Sequence, residues 1–284
     1  MPIDYERLRN FPIQEVRQHL TARDTVLYAL SIGLGQDPMD TRQLDFVDHH
    51  RGLKAMPSMA VVLGHPGFWL ADPATTADAV RLVHGEQGIR IHHALPIAGE
   101  IVGRTRVVGL IDKGAGAAAL LYTEKQVIEA ETGRLLATTT STTFLRGQGG
   151  FGGPAGPVKP AHPAPEGAPE ISRDLATRPE QALYYRLNGD DNPLHADPAV
   201  AAKAGFPRPI LHGLCTLGIV CHALVASLAD YDAARLVALD LRFSAPVFPG
   251  ETIRTEIWRS GAFQARALER DVFVVTHGRV AFRP

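Results

Sequence analysis

The amino-acid pattern predicts an α+β chain built from two related halves. The first observation is a gapless self-match. TARDTVLYALSIG (21–33) lies on TRPEQALYYRLNG (177–189), with Thr21 on Thr177, Leu27 on Leu183, Tyr28 on Tyr184 and Gly33 on Gly189. The second is ALPIAGE (94–100), which matches APVFPGE (245–251) at nearly the same offset. The third is the character of the chain after each Gly-Glu. IVGRTRVVGLI, AALLYTEKQVI and LLATTTSTTFL come in the first half, and TIRTEIWR, FQARALER and VFVVTHGRVAF in the second. These are alternating or β-rich runs. A helix-containing segment leading into a meander of strands, occurring twice, is an α+β arrangement by internal duplication.

Taken in order, MPIDYERLRN carries charges but no apolar core segment, so no secretory signal is expected. The first half spans 1–145. A linker occupies 146–172, because thirteen of the 25 residues in RGQGGFGGPAGPVKPAHPAPEGAPE (146–170) are Gly or Pro, which sustain neither helix nor ladder. It reads as an extended crossing over a surface. The second half spans 173–284. In it, LCTLGIVCHALVASLA (214–229) reads as a buried helix.

A chain of 284 residues with 45% apolar and 21% charged residues is an ordinary soluble globular one, long enough for a sizeable core. The net charge of −1 offers no basic field to nucleic acid or acidic membrane, and no apolar run is long enough to span a bilayer. Cys215 and Cys221 lie six apart on one helix and face different sides. No disulfide is expected between them, and a reducing cytoplasm is the simplest compartment. The C-terminal AFRP is not a peroxisomal address.

The chemistry concentrates between Tyr184 and Gly213. Asp190 and His195 are five apart with Asn192 and Pro193 between them. Pro193 removes a backbone donor and biases Asn192 away from helix, so the pair sits on a fixed turn that can aim acid and base at one point. Eighteen residues after His195, Gly213 opens the apolar helix, where a free N–H backed by the helix dipole suits a developing oxyanion. Asp191 reads as solvent-facing.

GDDNPLH (189–195) and then AGFPRPILHG (204–213) resemble the hydratase 2 motif of the MaoC-like, (R)-specific enoyl-CoA hydratases. The resemblance continues through LVHGEQ (82–87), DKGAG (112–116), GGFGG (149–153) and RFSAPVFPGET (242–252), and the set is similar to the hydratase 2 unit of peroxisomal multifunctional enzymes. It implies a tandem hot-dog fold, each half a long helix wrapped by a curved antiparallel sheet. It also implies reversible addition of water to a trans-2-enoyl-CoA, giving the (3R)-3-hydroxyacyl-CoA. Asp190 and His195 would share a water, Asn192 would orient it or lock the turn, and Gly213 would be the oxyanion donor. Matched ligand-contacting positions are His84, Gly85 and Lys113, with Phe243 as a pocket wall. Coenzyme A would enter as part of the substrate, without metal or redox cofactor, and the assembly would be a homodimer joined through sheet edges. Asp48 falls where eukaryotic relatives carry a sensitive Glu, but the local match is loose and it stays outside the catalytic set.

On the self-match Leu34 stands where Asp190 does and Met39 where His195 does, so one active site per chain is expected, with the first half shaping the acyl and cofactor pocket. His212, Cys215, Cys221 and His222 cluster in sequence, yet Cys221 points away and no CxxC or HxxxH spacing is present, so core packing and no metal site are expected. The pairs His49–His50 and His92–His93 read as solvated. Two other classes remain: a hot-dog acyl-CoA thioesterase, disfavoured because the helix after Gly213 has no acid before Asp230, and a non-catalytic acyl-thioester binding module, which needs neither Asp190 nor His195. The sequence does not set acyl length or branching, CoA against acyl carrier protein, or which member of the pair is the base.

Overall fold

The computed structural model describes residues 3–284. Ten strands among them make one antiparallel sheet: β1 (Val16–Leu20), β2 (Leu82–Ile91), β3 (Gly99–Asp112), β4 (Ala119–Glu129), β5 (Leu135–Leu145), β6 (Ile171–Ala176), β7 (Leu236–Phe243), β8 (Thr252–Ile257), β9 (Ala262–Ala267) and β10 (Val272–Phe282). Their spatial order is β1-β3-β4-β5-β2-β7-β10-β9-β8-β6, so each half contributes five strands and the second repeats the first in mirror order. This is the tandem hot-dog sheet.

The halves meet at the β2–β7 seam, where Glu86 pairs with Arg242 and Gly88 with Asp240. Ion pairs cross it twice: Arg242 to Glu86 at 2.7 Å and Arg90 to Asp240 at 2.6 Å. Gly88 is needed between them, since a Cβ there would stand 2.6 Å from Asp240 Oδ1.

Six helices among the described residues accompany the sheet: α1 (Tyr5–Arg9), α2 (Ala22–Ser31), α3 (Thr41–Leu44), α4 (Gln181–Tyr185), α5 (Pro198–Lys203) and α6 (Gly213–Leu228). α2 starts on a capping box in which Thr21 and Asp24 satisfy each other's backbone N–H groups. α6 has no polar face, and every residue from Cys215 to Ala226 is buried. A helix that is apolar all round belongs in the middle of a core. It packs tightly on the end of α2, since a Cβ on Gly218 would lie 2.4 Å from Ile32.

Each half ties its helical segment to its Gly-Glu turn through a threonine, though not the same one. Thr25 Oγ1, inside α2, donates to Ile97 O at 2.9 Å, and Thr177 Oγ1, ahead of α4, donates to Glu251 O at 2.8 Å. The buried tyrosines, Tyr28 and Tyr185, are offset by one from the sequence self-match, which pairs Tyr28 with the exposed Tyr184.

Among the described residues the long central helix is present in the second half alone. In the first half a 3-10 turn at Pro57–Val61 packs on β2, β5 and α6. It ends because the chain enters Gly64 at φ +56, pressed so closely on β3 that a Cβ would be 2.6 Å from Gly103 Cα.

Between β5 and β6 the chain forms no regular element, and its start is clamped. The Asp112 carboxylate accepts the N–H groups of Gly114 at 2.8 Å, Gly150 at 2.6 Å and Gly152 at 2.8 Å, joining the DKGAG turn to GGFGG. These three donors hold the Asp112 carboxyl below its usual range.

Candidate active site

The loop from Gly189 to Gly213 folds back on itself, and two imidazoles close it. Gly189 ends the preceding 3-10 turn at φ +104. Asn192 then caps the turn Pro193–His195, its side-chain oxygen accepting Leu194 N–H at 3.1 Å, while its own N–H donates to Asp190 Oδ1 at 3.4 Å. Asn192 therefore locks the turn. His195 Nδ1 donates to Ile210 O at 2.9 Å, and His212 Nε2 donates to Asp190 O at 3.1 Å. A carbonyl only accepts, so these bonds fix both tautomers and leave His195 Nε2 with its lone pair.

Asp190, His195 and His212 place a carboxylate oxygen and two ring nitrogens within 4.8 Å of one another. The rings of His195 and His212 stack with centroids 3.7 Å apart. Burial lowers the His195 pKa, opposed by the Ile210 carbonyl and the Asp190 charge. Burial lowers His212 further, to about 3, helped by the charge His195 would carry when protonated. Asp191 is exposed.

Gly213 is the first residue of α6, with His212 as its N-cap. The Phe243 ring lies 3.5 Å from where a Gly213 Cβ would be, and the His84 ring meets Phe243 edge-on at 5.0 Å. His84 in turn is within Coulombic range of Asp190, while burial lowers its pKa. Six of the eight residues singled out in the sequence (Asp190, Asn192, His195, Gly213, Phe243 and His84) thus form one connected wall. Gly85 is the bulged residue of β2 beside His84. Its glycine has a packing reason of its own, since a Cβ would stand 2.1 Å from the Phe144 ring. Lys113 is exposed in the β3–β4 turn. Its strand lies three places from β2 in the sheet, about 14 Å by strand spacing, so Lys113 is not brought together with the other residues.

Two histidines of this region go beyond the residues singled out in the sequence. Helical spacing groups His212 with the cysteines, whereas its ring faces Asp190 and His195. Cys215, Cys221 and His222 are indeed core: Cys215 Sγ donates to Ser31 O at 3.4 Å, His222 Nδ1 lies 3.4 Å from Ile32 O, and both cysteines are free and buried. The second is His65, on the loop after the first-half 3-10 turn. It is solvent-accessible yet hemmed in enough that its pKa falls to about 4, and it feels the charges of Lys125, Asp190 and His84. Gly67 N–H donates to its Nδ1 at 3.1 Å, leaving Nε2–H as a free donor. No signal in the sequence sets it apart from other loop histidines.

Among the described residues the Asp190–His195–His212 group is the one set with metal-ligand spacing. Two of its four ring nitrogens donate to backbone carbonyls, which leaves one nitrogen on each ring for a proton or another partner. A surface groove of about 580 Å³, between Arg9–Ile13 and Thr105–Val108, contains none of these residues. Among the described residues no helix is long and apolar enough to cross a membrane.

Known proteins share this sequence and fold. Residues 19–147 match the MFE-2 hydratase 2 N-terminal domain, and residues 160–279 match the MaoC like domain. The chain is 45% identical over 84% of its length to 3-hydroxyacyl-thioester dehydratase Y of Mycobacterium tuberculosis, covering 82% of that protein. It is 38% identical over 93% of its length to the peroxisomal enoyl-CoA hydratase 2 of Arabidopsis thaliana, covering 90% of it. A MaoC-like dehydratase from Phytophthora capsici superimposes with a TM-score of 0.84 at 31% identity, over 99% of this chain and 98% of that one. A more distant M. tuberculosis protein described as a double hotdog fold shares the architecture alone, with a TM-score of 0.55 at 17% identity over 95% of this chain and 94% of that one. These matches, which together span both halves of the duplicated hot-dog sheet, place this chain in the MaoC-like, hydratase 2 family.

Proposed function

We propose that the protein is a hydro-lyase that reversibly hydrates trans-2-enoyl-CoA to (3R)-3-hydroxyacyl-CoA. The observation that carries this reading is the separation between the Asp190 carboxylate and the His195 ring, within 4.8 Å, with His195 Nδ1 already committed to Ile210 O. Two hydrogen bonds of about 2.8 Å meeting at one water oxygen span about 4.5 Å, so the pair suits a single shared water. That water loses a proton as its oxygen bonds to C3, and C2 gains a proton. Asp190 and His195 divide the two transfers and titrate as a unit. The enolate-like charge on the thioester oxygen is met by Gly213 N–H at the start of α6. Phe243 and His84 wall the cleft beside it, and Lys113 meets the distal part of CoA. CoA arrives with the substrate, and the residues supply acid, base and oxyanion donor without calling on a metal or redox group.

A thioesterase on this fold needs a carboxylate on the central helix. α6 runs from Gly213 to Leu228 without one, and Asp230 lies beyond its end, paired with Arg42 at 2.6 Å. The same reading makes the enzyme a homodimer that covers its outer strands β1 and β6. It works in a reducing compartment, the cytoplasm in the simplest case, although the Arabidopsis relative is named as peroxisomal.

The test is loss of enoyl-thioester absorbance with crotonyl-CoA and a longer trans-2-enoyl-CoA, with chiral analysis of the product. Wild type yields the (3R) isomer, and Asp190→Asn and His195→Gln each lose on the order of 10²-fold or more in kcat. Release of free CoA instead would make the protein a thioesterase, and tight binding without turnover would make it a binding module.

A further inference from the structure

We propose that His212 is a positioning residue that joins the acid, the base and the oxyanion donor into one unit. The inference rests on the hydratase reading and adds to it a residue with no part in the bond-making steps. One imidazole makes three connections. Its Nε2–H donates to the backbone carbonyl of Asp190 at 3.1 Å, fixing where the acid's loop lies. Its ring stacks on that of His195 at 3.7 Å and 27°, covering one face of the base. Its backbone is the N-cap of α6, directly before Gly213. The Tyr185 ring, itself fully buried, stands 5.0 Å from it and packs against the plate.

The ring serves in a single charge state. It is 1% exposed, and its Nδ1 is buried without a hydrogen-bond partner. A second proton at Nδ1 would put an unpaired charge in the interior next to an imidazole that shares the proton transfers. His212 therefore stays neutral throughout the working pH range, in line with its pKa of about 3. The groups facing it are Asp190, His195, Tyr185 and, at longer range, Arg186. A neutral aromatic plate keeps water off one face of His195 and so helps hold its pKa below the ordinary histidine value.

Two substitutions separate the functions. His212→Phe keeps the plate and removes the donor, whereas His212→Gln keeps a donor at the Nε2 position and removes the plate. The wild type and both variants are assayed for kcat and KM against pH with crotonyl-CoA. The histidine C–H signals are tracked by NMR titration without substrate. His212→Phe is expected to lose about 10- to 100-fold in kcat with little change in KM, and to leave the His195 titration in place. His212→Gln is expected to keep more of kcat, while the His195 titration and the limb it sets both move to higher pH by about half a unit or more. If both folded variants lose activity equally and His195 titrates unchanged, His212 is merely a packing residue and the proposal fails. It fails likewise if both keep wild-type kcat. If the wild type hydrates no enoyl thioester, the functional reading falls, and the NMR titration alone still decides whether His212 sets the state of His195.

Discussion

The two halves share a mirror-ordered set of five strands and a Gly-Glu turn, and differ at the two positions proposed to carry the chemistry. Where the second half has Asp190, the first has Leu34, 1% exposed within the core. Where the second half has His195, the first has Met39, 84% exposed on the surface. The loop geometry differs with the residues: 189–213 is closed by two histidine–carbonyl bonds, whereas the chain after Gly33 runs through α3 into the 3-10 turn at Pro57–Val61. On the proposed reading one half carries the acid and base, and the other supplies walls. His65 and His84, both within Coulombic range of Asp190, are the first half's contribution to the same cleft.

The sharpest way to break this comparison is to write the dyad into the first half. Leu34→Asp buries a carboxylate without a partner and is expected to cost at least about 3 kcal/mol of stability. Leu34→Asp with Met39→His, placed in an Asp190→Asn background, is expected to restore no hydration. Denaturant melts and the absorbance assay read the two outcomes. Recovered turnover would mean that the halves are equivalent frames and that residue identity alone distinguishes them.

The duplication and the motif are legible in the sequence because each depends on local pattern. Strand alternation, Gly-Glu turns and the Pro193 turn are written in consecutive residues. The missing first-half helix is not legible, because PSMAVVLG is as apolar as the start of α6 and its fate is decided by the approach of Gly64 to Gly103, two positions far apart in sequence. The role of His212 is hidden for the same reason. Helical spacing groups it with Cys215, but as an N-cap it sits outside the helix, and its side chain turns back to Asp190. The tyrosine offset is a third case: the self-match aligns letters, whereas burial chose Tyr185.

The join between the halves should respond next most strongly. Gly218→Ala drives a methyl into Ile32 at the α6–α2 contact and is expected to cost about 1–3 kcal/mol. At the seam, Asp240→Asn removes the partner of Arg90 and is expected to cost about 1–2 kcal/mol. Both are read as shifts in the midpoint of denaturant unfolding. If the halves melt separately in the Asp240→Asn variant while the wild type melts once, the seam rather than the α6–α2 contact couples them.

The last expected effect depends on pH and concerns how each half satisfies the carbonyls at its centre. α6 is long enough to bond most of its own. The short turn at Pro57–Val61 is not, and Lys125 on β4 serves it from outside, Nζ donating to Val61 O at 2.8 Å and Leu63 O at 2.6 Å. With no carboxylate bonded to it, and 5% exposed, Lys125 has its pKa lowered by burial to about 7. The folded pKa lies below the unfolded value of about 10.4, so between these the unfolded chain binds the extra proton. Stability therefore rises as pH increases across that window and is lowest below pH 7. A neutral amine still has two hydrogens for the two carbonyls, so the bonds survive deprotonation. Lys125→Met should flatten this part of the stability–pH curve. Near pH 9 it should be the less stable protein by about 1–3 kcal/mol, because two carbonyls lose their donor, and near pH 6 the difference should shrink as the wild type bears a buried charge. Equal slopes in both proteins would mean that Lys125 stays charged in the fold, and that the first half tolerates at its centre an ion the second half has no counterpart for.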